Sequence, residues 1–97
     1  MRLGKAERDS ALAALPGWTY DEAESAIRRS FEFRDFAEAF AFMARVAEAA
    51  EAMDHHPDWS NSWNRVDVAL TTHKAGGITA LDFELARTLD SLARLPN

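Results

Sequence analysis

The stretch DFAEAFAFMARVAEAAEAM, residues 35–53, is where the period of the chain changes. Phe36, Phe40, Met43, Ala47 and Ala50 recur at spacings of four and three, and Phe42, Val46 and Met53 widen the stripe, as in a helix that buries one face. Asp35 stands where an N-cap accepts amide hydrogens from the first turn. Pro57 is expected to end the helix, because the residue before a proline is pushed out of the helical region. This is the longest helical pattern in the chain, so the flanking segments decide the fold class.

Upstream, residues 5–14 place Ala11, Leu12 and Leu15 behind a charged turn and read as a short helix stopped by Pro16-Gly17. Trp18-Thr19-Tyr20 and Ile27 to Phe33 are rich in β-branched and aromatic residues, with Ile27, Phe31 and Phe33 on one parity. They predict a hairpin around Asp21 to Ser25. Downstream, Trp59 to Trp63 and Val66 to Thr72 read as two strands joined at Asn64-Arg65. Val66, Val68 and Leu70 face the core there, and Asp67, Ala69 and Thr71 face away. Gly76-Gly77 breaks the last strand, and Thr79 caps a final helix whose stripe is Leu81, Leu85, Leu89 and Leu92. The order α-β-β-α-β-β-α, without internal repeat or low-complexity segment, predicts an α+β fold. Its expected form is a four-stranded antiparallel sheet with three helices packed on one face, as a single domain over residues 1–97.

Composition narrows the function classes. With 47% hydrophobic and 28% charged residues in 97, the chain has the make-up of a soluble globular protein. A domain this short buries only about 60% of its unfolded surface. A homo-oligomer, dimer or tetramer, is therefore expected, with the 22–34 segment offered as an exposed edge for pairing. The absence of cysteine removes disulfides, thiolate metal sites and cysteine nucleophiles, and fits a cytoplasmic location. Eleven Lys and Arg are scattered among sixteen acids for a net charge of −5, so no nucleic-acid partner is expected. Met1 to Ser10 is too charged for a signal peptide, and no segment approaches the roughly 20 apolar residues needed to cross a bilayer, so no membrane is expected.

The candidate chemistry lies in the three histidines. His55 and His56 stand at the end of the long helix and His73 at the end of the last strand. Imidazoles titrate near neutrality, so three around one pocket would suit general acid–base work. Histidines before Pro57 are equally at home as solvated residues complementing the helix dipole. Zinc held by the three imidazoles and Asp54 or Asp58 competes, but adjacent histidines point their rings apart and no His-x-x-x-His spacing exists. Asp82 has a structural explanation of its own, since Thr79-Ala80-Leu81-Asp82 is a capping box. Trp18, Trp59 and Trp63 have one too, as core or interface aromatics.

Glu51-Ala52-Met53-Asp54-His55-His56-Pro57, an aromatic at Trp63, His73 ten residues on and Asp82 nine beyond that resemble the signature of the pterin-4a-carbinolamine dehydratases. Leu15-Pro16-Gly17-Trp18 is similar to that family's turn into its first strand. Asn64 to Val68, Thr72-His73 and Gly77-Ile78-Thr79 are similar to its later strand and loop, so the resemblance covers nearly the whole chain. It departs at Trp63, often tyrosine in the family, and at Ser60 and Ser62, which replace usually apolar residues. Those departures touch local packing or oligomer contacts rather than the histidines.

The resemblance implies dehydration of a 4a-hydroxytetrahydropterin to the quinonoid dihydropterin in tetrahydrobiopterin recycling. The pterin is then the substrate, with no cofactor and no metal, and an aromatic amino-acid hydroxylase is a functional neighbour. It implies His55 and His73 as general acid and base, His56 as the group that holds the pterin, and Asp82 as the carboxylate that orients an imidazole. Asp54, Thr71, Thr72, His73 and Lys74 would line the pocket with His55 and His56, and Glu51, Pro57, Trp18 and Trp63 would support the motif. Two alternatives keep the fold: an interaction module, since animal members also act as dimerisation partners of a transcription factor, and a protein serving another pterin, such as one of molybdenum-cofactor metabolism.

Overall fold

The structure, a computed structural model, describes residues 1–96. Its elements follow the predicted order: helix α1 (Lys5–Ala13), strands β1 (Thr19–Asp21) and β2 (Ala26–Glu32), helix α2 (Phe36–Met53), strands β3 (Asp58–Ser62) and β4 (Arg65–Leu70), a single 3-10 turn at His73–Ala75, and helix α3 (Ala80–Ala93). The four strands form one antiparallel sheet in the order β1-β2-β4-β3.

The α+β architecture follows from how each element divides its apolar residues. Ile27 and Phe31 of β2 and Val66, Val68 and Leu70 of β4 point to one side of the sheet, where they meet Phe42 and Val46 of α2 and Phe83, Leu85 and Leu89 of α3. Ala11 and Leu12 of α1 and the preceding Leu3 pack against the same cluster. The Phe42 ring lies 4.9 Å from both Phe31 and Phe33, and Trp18 meets Phe31 edge-on at 6.0 Å. Asp35 caps α2 as predicted, accepting the Glu38 amide at 2.9 Å.

Several local expectations are corrected. The buried face of α2 is Ala39, Phe42, Val46 and Ala50, while Phe36, Phe40 and Ala47 are exposed. Phe42, Val46 and Ala50 belong to the predicted stripe, so the buried face is its widened edge, centred roughly 75° around the helix from the line of Phe36, Phe40, Met43, Ala47 and Ala50 at 100° per residue. The helix is apolar over so much of its circumference that spacing alone does not choose between two stripes. Leu81 is likewise exposed, and Phe83, on the other side of α3, takes its place in the core. Ala69 faces away from the helices yet is buried, between Arg28 of β2 and Asp58 of β3.

Two turns also differ. The β3–β4 turn is Trp63-Asn64 rather than Asn64-Arg65, with Trp63 left-handed at φ 49° and Arg65 already in the strand. α2 ends at Met53, where the predicted stretch ends, but what stops it is the turn at Asp54 and not Pro57: Asp54 is left-handed (φ 53°), its N–H bonds to the Glu51 carbonyl, and the His55 N–H bonds back to the Ala50 carbonyl. That pair of bonds is a Schellman motif, which stops a helix without help from proline. The proposal that 22–34 is a free edge is overturned too. β2 is hydrogen-bonded on both sides, to β1 and β4, and the free edges belong to β1 and β3. No helix among the described residues is long and apolar enough to cross a membrane.

Candidate active site

The C-terminus of α2, the start of β3, the end of β4 and the N-terminus of α3 meet at one end of the sheet. The register places Asp58, first in β3, opposite Ala69, next to last in β4. The Schellman turn reverses the chain at Asp54 and sends His55 inward. Thr79 caps α3 and brings Asp82, the third helical residue, back toward the cap.

His55 and Asp82 meet there. His55 Nε2 lies 2.6 Å from Asp82 Oδ1, with Asp82 fully buried and His55 8% exposed. Asp82 Oδ2 accepts the Thr79 N–H and the Thr72 hydroxyl, each at 2.8 Å. The capping role and the orienting role of Asp82 therefore coexist, one on each oxygen. A carboxylate only accepts hydrogen bonds, so in the neutral ring Nε2 carries the proton and Nδ1 the lone pair. Among the described residues no buried side-chain nitrogen or oxygen lacks a partner, so Nδ1, which has none, opens to the surface. Chemically this is an oriented proton donor or acceptor whose reactive nitrogen is accessible.

His56 points away from this pair: its Nε2 lies 2.6 Å from Glu51 Oε1, and both side chains are exposed. His73 opens the 3-10 turn that follows β4, with Nε2 3.6 Å from Asp58 Oδ2 in an exposed pair. Asp58, weighed from sequence only as a metal ligand, is thus the carboxylate nearest His73, which the β3–β4 register explains. Together they line a groove of about 410 Å³ on the helix-free side of the sheet, with Arg28, Asp67 and Thr71. His55 and His56 do not line it. The Asp67 carboxyl on that groove is held below its ordinary range by the Ser30 hydroxyl and next by the Arg65 guanidinium.

The remaining candidates divide. Thr71 lines the groove and donates to the Ser25 carbonyl at 2.7 Å, tying the first hairpin to the end of β4. The Thr72 hydroxyl is engaged inside the protein rather than free, and Lys74 is exposed. Asp54 is exposed on the Schellman turn and Pro57 is half-buried behind it. Trp18 is a core residue, with its indole N–H on Asp90 Oδ1 at 2.9 Å. Trp63 is exposed at the far end of β3, roughly 16 Å along the strand from Asp58. Sequence reasoning missed the link from Thr72 to Asp82, because only the fold brings a strand-end threonine to a helix cap. No three His, Asp or Glu side chains among the described residues gather as metal ligands would.

Comparisons with known proteins agree over nearly the full length. A family model described as pterin 4 alpha carbinolamine dehydratase matches residues 1–92. A Rhodospirillum rubrum protein, provisionally named a pterin-4-alpha-carbinolamine dehydratase, is 56% identical over 91 residues, 94% of this chain and 95% of its own. A Rhizorhabdus wittichii protein of the same provisional name is 59% identical over 87 residues, 90% of each chain. The crystal structure of a transcriptional coactivator/pterin dehydratase from Brucella melitensis matches with a TM-score of 0.93 at 49% identity, over 96% of this chain and 99% of that one. A pterin dehydratase-like protein identified as a RuBisCO assembly factor in the alpha-carboxysome shares the fold alone, with a TM-score of 0.70 at 21% identity over 82% of this chain and 93% of its own. On the matched span and these identities, the chain belongs to the pterin 4 alpha carbinolamine dehydratase family.

Proposed function

We propose that the protein dehydrates a 4a-hydroxytetrahydropterin to the quinonoid dihydropterin, as a cytoplasmic homo-oligomer that recycles tetrahydrobiopterin after an aromatic amino-acid hydroxylase. In this reaction the C4a–O bond breaks as the N5 lone pair forms C4a=N5. A proton added to the departing oxygen lets it leave as water, and a ring N–H proton passes to a base. Two proton transfers are the whole chemical demand, and a pair of positioned imidazoles meets it.

The observation that carries this reading is the buried His55–Asp82 pair with Nδ1 open to the surface. Asp82 holds the ring in one tautomer and stabilises the imidazolium, so His55 gives or takes its proton at Nδ1. His73, beside Asp58 on the groove, serves as the second proton-transfer group, and His56, tethered to Glu51, holds the pterin with Asp54, Thr71 and Lys74. An interaction module would have no use for a buried, oriented imidazole, which favours the enzyme over a purely regulatory partner.

The test is dehydration of a freshly generated 4a-hydroxytetrahydropterin by the purified protein, followed by absorbance with and without a strong chelator. The expected result is acceleration over the uncatalysed reaction that the chelator leaves unchanged, because the route needs proton transfers alone. Loss of activity in chelator, restored by zinc, would contradict the metal-free route, and no acceleration in either condition would contradict the dehydratase reading.

A further inference from the structure

Thr72 sits between the two histidines in the chain of contacts. Its Oγ1 lies 2.8 Å from Asp82 Oδ2 and 2.8 Å from Thr79 Oγ1. The Thr79 hydroxyl in turn accepts the Leu81 N–H at 3.3 Å. A hydroxyl has one hydrogen to donate, and the carboxylate can only accept. These constraints fix every direction: Leu81 N–H to Thr79, Thr79 O–H to Thr72, Thr72 O–H to Asp82 Oδ2, and His55 Nε2–H to Asp82 Oδ1. Bonds aligned in series polarise one another, and this series starts at the N-terminus of α3.

The backbone of Thr72 is held as firmly as its hydroxyl. Its N–H bonds to the Gly77 carbonyl at 3.1 Å, closing the loop whose 3-10 turn starts at His73. Gly76 makes that closure feasible, since it is left-handed at φ 74°, a conformation glycine adopts without strain.

We infer that Thr72 is a positioning residue: its hydroxyl, acting through Asp82, fixes the tautomer and orientation of His55, and its backbone anchors the turn that presents His73. The resemblance-based place of Thr72 among substrate-binding residues is thereby replaced by a role behind the site. The inference rests on the reading of His55 as a proton-transfer group.

The test compares Thr72→Val, which removes the hydroxyl at nearly constant shape, with Thr72→Ser, which keeps it. Two readouts are measured for each: dehydration kinetics, and the imidazole ¹⁵N shifts of His55 across its titration. Outer partners of functional histidines are worth about 10–100-fold in metal sites. Thr72→Val is expected to lower kcat by roughly 10-fold with KM nearly unchanged, and to mix the two neutral tautomers of His55. Thr72→Ser should stay within about two-fold of the parent with its ¹⁵N shifts intact. Should Thr72→Val fail to fold, Thr72→Ala takes its place with the same expectations.

Parent-like His55 shifts in the hydroxyl-free variant would overturn the inference. So would a serine variant as defective as the valine one, or a rise in KM at constant kcat, which would return the hydroxyl to the substrate. The spectroscopic arm needs no turnover. A parent protein without dehydratase activity but with a Thr72-dependent His55 tautomer would therefore refute the proposed function and leave the positioning role standing.

Discussion

The two oxygens of Asp82 carry two roles that sequence reasoning held apart as alternatives: Oδ2 closes the cap of α3 and Oδ1 holds His55. The capping box was legible because Thr79 and Asp82 are three residues apart. The partnership with His55 spans 27 residues and has no periodic signal, and the family resemblance implied only that Asp82 orients an imidazole, without saying which. Asp67 makes a residue-scale prediction. The Ser30 hydroxyl, and after it Arg65, favour its charged form, so its folded pKa lies below the unfolded value. Such a group contributes stability that is complete above the unfolded value of about 3.9 and disappears as pH falls through the lower folded value. The parent should therefore melt above Asp67→Asn near neutrality, and the two melting temperatures should converge as pH falls below the unfolded value and on through the lower folded one. A gap that stays constant into acid would show that Asp67 contributes by packing instead of charge.

At the scale of elements, the end of α2 matters most for the site. A proline-based stop would have left His55 on a fraying, solvated helix end. The Schellman turn, with Asp54 left-handed, instead turns His55 inward to Asp82. That geometry was not readable because aspartate carries no strong left-handed signal, whereas Pro57 offered an obvious but unused one. Replacing Asp54 with glycine relieves the side chain's left-handed cost and is expected to raise stability by up to about 1 kcal/mol. If Asp54 also touches the pterin, the same change should raise KM. Thermal melts and kinetics on one variant separate the two effects, and a destabilised Asp54→Gly would contradict the account of the turn. The misread face of α2 has a related cause. Ala and Phe surround the helix so fully that only the sheet, through Phe31 and Phe33 against Phe42, selects which stripe is buried.

At the scale of the whole molecule, element order and the single-sided sheet were legible because the period changes sharply between segments and the inner strands alternate their apolar residues, as in Val66, Val68 and Leu70. Strand order was not, since hairpin connectivity leaves open which hairpin edge pairs with which; this is why β2 lies inside the sheet and not at its edge. Phe36, Phe40 and Trp63 remain exposed on the single chain, apolar surface of the kind that association covers. Light scattering at micromolar concentration should accordingly give a dimer or larger, and a monomeric mass would contradict the expected association. The fold brings the end of α2 and the loop after β4 to the same end of the sheet, with His55 buried against Asp82 there and His73, 18 residues on, exposed at the groove. The most direct test of the account compares dehydration rate and pterin affinity in the parent, His55→Ala, His73→Ala and the double variant. General acid–base groups contribute about 10²–10⁴-fold. Each single variant should fall at or below the bottom of that range with affinity nearly intact, and the double variant should lose more than either. A double variant that turns over like the parent would mean that these histidines move no proton in the reaction.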